Sequence, residues 1–128
     1  MNVSFSIPYP TTRKARSAWN REFGLNAIYA GKHWSARRRD AEYWHTLTVS
    51  AMNRHGIGGK PFSKPVSIAF VWDDNLDLSN HAYIGKMIED ALKGRLIVDD
   101  DQRYVVEITH RLDRGSGEIK VIVTEIEE

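Results

Sequence analysis

Two stretches of the chain alternate apolar and polar residues with a period of two. Val3, Phe5 and Ile7 do so along Asn2 to Pro8, and Val66, Ile68, Phe70 and Trp72 do so in the second half. That period predicts strands with one face buried. Pro8 and Pro10 end the first, because proline cannot donate to a strand ladder. Elsewhere the apolar residues recur every three or four positions. Ala41, Trp44, Leu47, Thr48, Ala51 and Met52 form one such stripe. It predicts a long helix with Ser35 as its N-cap, reaching about Asn53 and ended near Gly56. Ile84, Met87, Ile88, Ala91 and Leu92 form a second stripe. That helix is capped by Ser79 or Asn80 and stopped at Gly94.

The remaining segments are shorter. Asn26 to Tyr29 reads as a short strand, and Gly56 to Pro65, with three glycines and two prolines, as a loop. Tyr104 to Ile108 and Ile119 to Val123 read as strands, and Asp113-Arg114-Gly115-Ser116-Gly117 between them carries the turn residues of a hairpin. Thr11 to Phe23 is polar and basic. Its arginines and lysine around Trp19 suit a flexible loop that grips phosphates and stacks on a base, or one that Trp19 anchors to the core. The expected architecture is α+β, a small mixed β-sheet with two helices packed against it. With 128 residues the chain is one domain, residues 1–128.

Charge sharpens this picture. The net charge is only +1, yet residues 1–64 hold 11 Lys and Arg against 3 Asp and Glu, and residues 65–128 hold 7 against 14. The basic half points to a polyanionic partner such as DNA, with a merely solvated face as the alternative. Candidate DNA-binding residues are Arg13, Lys14, Arg16 and Arg21, then Arg37, Arg38 and Arg39. The last three stand in the first turn of a helix, where the helix dipole disfavours cations and a phosphate would compensate. His33, His45 and His55 have no shared ligand spacing, so no zinc site is read there. The absence of cysteine excludes disulfides and thiolate metal sites. With no run of about 18 apolar residues and no secretory leader, the expectation is a cytoplasmic protein outside the membrane.

The acidic half holds the candidate chemistry. Asp77 stands just before the second helix, and Asp99, Asp100 and Asp101 follow it. If Leu96-Ile97-Val98 turns back along the helix, the two acidic groups converge. Converging carboxylates suit a hard divalent cation such as Mg²⁺, which can orient a water for phosphodiester hydrolysis. The alternative is a solvated aspartate-rich turn.

This run resembles the signature of RusA-type Holliday junction resolvases: Asp-x-Asp-Asn, Lys, Asp-Ala-Leu, then Asp-Asp-x-Gln. The matching residues are Asp77, Asn80, Lys86, Asp90-Ala91-Leu92, Asp99-Asp100 and Gln102, and Ser6-Ile7-Pro8-Tyr9-Pro10 looks like that family's first strand. The resemblance implies a RusA-like fold and a Mg²⁺-dependent endodeoxyribonuclease that resolves four-way junctions in recombination and repair. It implies Asp77 and Asp100 as metal ligands and catalytic residues, Asp99 as an adjacent acidic group, and Lys86 as a catalytic helper. It also implies a homodimer, since resolution needs two matched nicks. Ser79 stands where the pattern usually has its second aspartate, and the gap from Asn80 to Lys86 is longer than in the shortest members, as in some phage relatives. Asp73 or Asp74, just upstream, supplies the missing charge if the loop folds back. Two alternatives remain: a non-catalytic branched-DNA-binding protein that kept the fold, and a small acidic-pocket protein with no nucleic-acid role.

Overall fold

A computed structural model describes residues 1–127. Strand β1 (Asn2–Pro8) precedes three helices, α1 (Arg13–Phe23), α2 (Leu25–Tyr29) and α3 (Trp34–Arg54). Strand β2 (Val66–Trp72), a 3-10 turn (Leu78–His81) and helix α4 (Ala82–Leu92) follow, and β3 (Val105–Leu112) and β4 (Glu118–Glu125) complete the order. The result is a mixed α+β fold with a four-stranded mixed sheet and four helices. No helix of the described residues is long and apolar enough to cross a membrane.

The sheet order is β1-β4-β2-β3. β4 runs antiparallel to both β1 and β2, whereas β3 lies parallel to β2 after the crossover through α4. Phe5, Val121 and Phe70 are register partners across the three antiparallel strands, with His110 beside Phe70 on β3. The first three are buried among Trp44 and Met52 of α3 and Ile84, Ile88 and Leu92 of α4. Each side chain so buried contributes about 1.5–3 kcal/mol. The expected α4 stripe is buried throughout, whereas of the expected α3 stripe Trp44, Thr48, Ala51 and Met52 are buried, Leu47 is partly buried and Ala41 is exposed. α4 lies close against the sheet: a Cβ added at Gly85 would meet His110 Cε1 at 3.1 Å and Phe70 Cε2 at 3.6 Å.

Three expectations change. Thr11 to Phe23 is not a flexible loop but helix α1, capped by Thr12, whose Oγ1 accepts from Ala15 N–H at 3.1 Å. Trp19 and Phe23, four residues apart, pack edge-on against Trp44 at 5.9 and 5.4 Å between ring centres. That aromatic cluster fixes the helix and places Trp19 in the core, 4 % exposed. Asn26 to Tyr29 belongs to the short helix α2 rather than to a strand, so four helices stand where two were expected. Finally, β3 and β4 are not a hairpin, because β2 lies between them. β2 is buried at five of its seven positions, including Val71 on the face opposite Phe70, and so takes an interior place.

The long helix starts one residue before the expected cap. His33 takes that role, its Nδ1 accepting from Ser35 N–H at 3.1 Å. Gly94 ends α4 as expected, with φ of 83° in the left-handed region that glycine adopts without strain.

Candidate functional site

The chain does turn back after α4. Gly94 N–H donates to the Ile97 carbonyl at 2.8 Å, and Leu96 and Ile97 are buried. Burial of those two apolar residues pulls the following aspartates alongside the helix. Asp100 thereby meets Lys86, fourteen residues earlier, in a direct ion pair.

Two ammonium groups organise the cluster. Lys86 Nζ lies 3.0 Å from Asp90 Oδ1 and 4.0 Å from Glu89 Oε1, besides its bond to Asp100. Lys93 Nζ lies 3.3 Å from Asp100, 3.5 Å from Asp90 and 3.9 Å from Asp99. Asp100 also accepts order from its neighbour, since its N–H donates to Asp99 Oδ1 at 2.8 Å. The hydrogen bond from Lys86 holds the Asp100 carboxyl well below the usual carboxylate range. Burial opposes the Lys86 charge, but its bonds to Asp100 and Asp90 outweigh burial and push the ammonium up. Glu89, buried at the edge of the cluster, is pushed up by burial, with Asp100 and Asp90 adding repulsion.

The cluster thus holds Lys86, Asp99 and Asp100 of the expected set, and adds Glu89, Asp90 and Lys93. Helical spacing carried that addition: Lys86, Glu89, Asp90 and Lys93 are three or four apart and share a face. Asp77 is not in the cluster. It is exposed before the 3-10 turn, and its side chain caps nothing there. Ser79 is exposed in the same turn. Among the described residues, no three His, Asp or Glu side chains are gathered as ligands around a common point. Asp90 and Asp100 both direct oxygens at one cationic group, Lys86, and such oxygens are the donor type a hard cation takes. Mg²⁺ needs only one or two carboxylates when waters and substrate phosphate complete its shell.

Asp73 and Asp74 are both engaged away from the lysine cluster. Asp74 is 4 % exposed, and its Oδ1 accepts from His81 Nε2 at 2.8 Å and from Leu76 N–H at 2.9 Å. Its Oδ2 accepts from Tyr9 Oη at 2.7 Å. Burial disfavours the Asp74 anion, yet these bonds prevail and lower it. Asp73 Oδ2 accepts from Gly117 N–H at 2.8 Å and Gly115 N–H at 3.2 Å. It clasps the loop that crosses the end of β2 on its way from β3 to β4. Both glycines there have positive φ, 99° and 76°, so the clasped conformation suits them alone.

The basic residues occupy two helices. Arg13, Lys14 and Arg21 are exposed on α1, and Arg37, Arg38 and Arg39 are exposed near the start of α3. Of these, Arg38 has a surface ion pair, 3.5 Å from Glu42. Arg16 is more confined: its Nη2 donates to the Asp73 carbonyl at 2.6 Å, and its guanidinium lies 4.6 Å from the Tyr9 ring centre.

Compared with known proteins, the chain matches no family model and no curated protein sequence.

Proposed function

We propose that this protein is a RusA-type, Mg²⁺-dependent endodeoxyribonuclease that nicks four-way DNA junctions in the manner of a crossover resolvase, working as a homodimer in the cytoplasm. The observation that carries this reading is the meeting of the Asp99-Asp100 pair with Lys86. Residues far apart in the chain come together through a buried turn, and they are the residues the signature singles out. Asp100, with Asp99 or Asp90 beside it, would hold the cation. When bound, that cation would polarise the scissile phosphate and lower the pKa of an attacking water. Lys86 would neutralise charge on the phosphate. Asp77 joins the site only if substrate draws the 3-10 turn toward it. Arg13, Lys14, Arg16 and Arg21 of α1, with Arg37, Arg38 and Arg39 of α3, would hold the DNA arms through their phosphates.

A second reading has its own support. Asp99 and Asp100 are already paired to lysines, and Ser79 brings no charge. A branched-DNA-binding protein without nuclease activity fits those facts. Incubation with a synthetic four-way junction, with and without Mg²⁺, separates the two. Symmetric nicking that depends on Mg²⁺ is the expected result. Binding without nicking at any Mg²⁺ concentration selects the second reading, and absence of binding removes both.

A further inference from the structure

A second polar site lies away from the lysine cluster. A cavity of about 350 Å³ opens between α1 and the C-terminal end of β2, lined by Arg13, Arg16, Ser17 and Asn20 on one wall. Those four residues fall at i, i+3, i+4 and i+7, so they form one face of α1. The opposite wall carries Asn75 and, from the loop crossing β2, Arg114. Arg114 Nη1 donates to Asn75 Oδ1 at 3.2 Å.

Arg13, Arg16 and Arg114 therefore line one cavity, and none of their guanidiniums has an ion-pair partner among the described residues. Asp73 and Asp74 also line the cavity, but Asp73 Oδ2 is taken by the loop glycines and both Asp74 oxygens by His81, Tyr9 and Leu76 N–H. Arg16 is held in place by the Tyr9 ring and the Asp73 carbonyl, and it uses one of its five N–H donors on the latter. Arg114 is held by Asn75. Guanidiniums fixed in advance lose little freedom when they take a phosphate, and their fork matches its oxygens. The cavity exceeds what one ion needs and reaches the size of small-molecule sites. Beyond the phosphate, Ser17, Asn20 and the free amide N–H groups of Asn75 would meet a sugar or a base edge.

We propose that this cavity seats one nucleotide, its phosphate ester held by Arg13, Arg16 and Arg114. The inference rests on the nucleic-acid part of the function proposed above and adds Arg114, which lies outside the basic half of the chain. The nucleotide is either free or one unit of a strand, and both sources share the same phosphate ester.

Calorimetric titration of the full chain with thymidine monophosphate, with a 5′-phosphorylated tetrathymidylate and with thymidine tests the seat. Both phosphorylated probes should bind and thymidine should not. Tighter binding of the tetranucleotide identifies a strand as the source, and equal binding identifies the free nucleotide. Arg114→Gln and Arg13→Gln should each weaken binding about tenfold or more, and Arg114→Lys should do so less. Arg54→Gln removes the same charge from the exposed end of α3 and should leave affinity unchanged. Equal weakening by Arg54→Gln, or equal binding of thymidine, overturns the seat. If neither phosphorylated probe binds while the chain still nicks a junction, the seat fails and the nuclease reading stands. Arg114-dependent binding in a chain that neither binds nor nicks junctions keeps the seat and removes the nuclease.

Discussion

Two networks of acid and base flank α4, and they use similar groups to opposite ends. At its N-terminal side Asp74, His81 and Tyr9 are 4 %, 0 % and 5 % exposed. His81 stacks on Trp72 at 4.3 Å, and both its ring nitrogens face oxygen atoms, Leu78 O at 3.0 Å and Asp74 Oδ1 at 2.8 Å. Along the body of α4, Lys86 and Asp100 form their pair with side chains 56 % and 19 % exposed. The inner network is almost wholly buried, so a lost partner leaves a polar group unpaired, and it is bound into the fold. The outer one can exchange its partners for water, a cation or a phosphate at small cost. Burial, rather than residue type, separates a structural aspartate from one available for chemistry.

The sharpest way to break this comparison is Asp74→Asn. Removing one partner of a buried charged network costs about 3–5 kcal/mol, read as a fall in the denaturant midpoint. Because the Asp74 carboxyl is lowered from its ordinary 3.8, its contribution is complete above that value and is lost as pH falls below it. The gap between wild type and variant should therefore close in acid. A loss below about 1 kcal/mol at neutral pH would place Asp74 with the exposed networks.

Tyr9→Phe probes the same network more gently. The hydroxyl donates to Asp74 and accepts from Asp73 N–H at 2.8 Å, so its removal leaves the Asp73 N–H without a partner and takes one of several bonds from Asp74. A loss of about 1–3 kcal/mol is expected in chemical denaturation.

Glu89 lies between the two regimes, and its variant tests the boundary. Its carboxyl is raised by burial above the ordinary 4.5, so the folded state holds the proton more tightly than the unfolded chain. Stability from this group is present below 4.5 and falls as pH rises through the raised value. Glu89→Gln should melt above wild type at neutral pH and level with it in acid. A variant that melts below wild type at neutral pH would make the contact with Lys86 the stronger effect.

The smallest stability change is expected at Asp100→Asn, within about 1 kcal/mol, since the pair is exposed. Junction nicking should nevertheless fall by orders of magnitude while junction binding persists. Nicking at the wild-type rate would remove Asp100 from the proposed site.

Much of this molecule was legible in its residue pattern. The period of two marked β1 and β2, and the period of 3.6 marked the α3 and α4 stripes that fill the core. These signals depend on nearby residues, which is why they survive without a structure. The turn after α4 was legible only as a condition on Leu96-Ile97-Val98, and the burial of Leu96 and Ile97 decided it. Local pattern failed where a distant partner decided the outcome. The basic stretch after Pro10 became a helix because Trp19 and Phe23 found Trp44, more than twenty residues away. β3 and β4 lost their hairpin because β2, apolar on both faces, entered between them. Which of Asp73, Asp74, Asp90, Asp99 and Asp100 are spent inward and which stay at the surface depended on the loop glycines at 115 and 117, on His81, on Lys86 of α4 and on Lys93 just after it. Those assignments follow from burial and hydrogen-bond geometry, which exist only once the chain has folded.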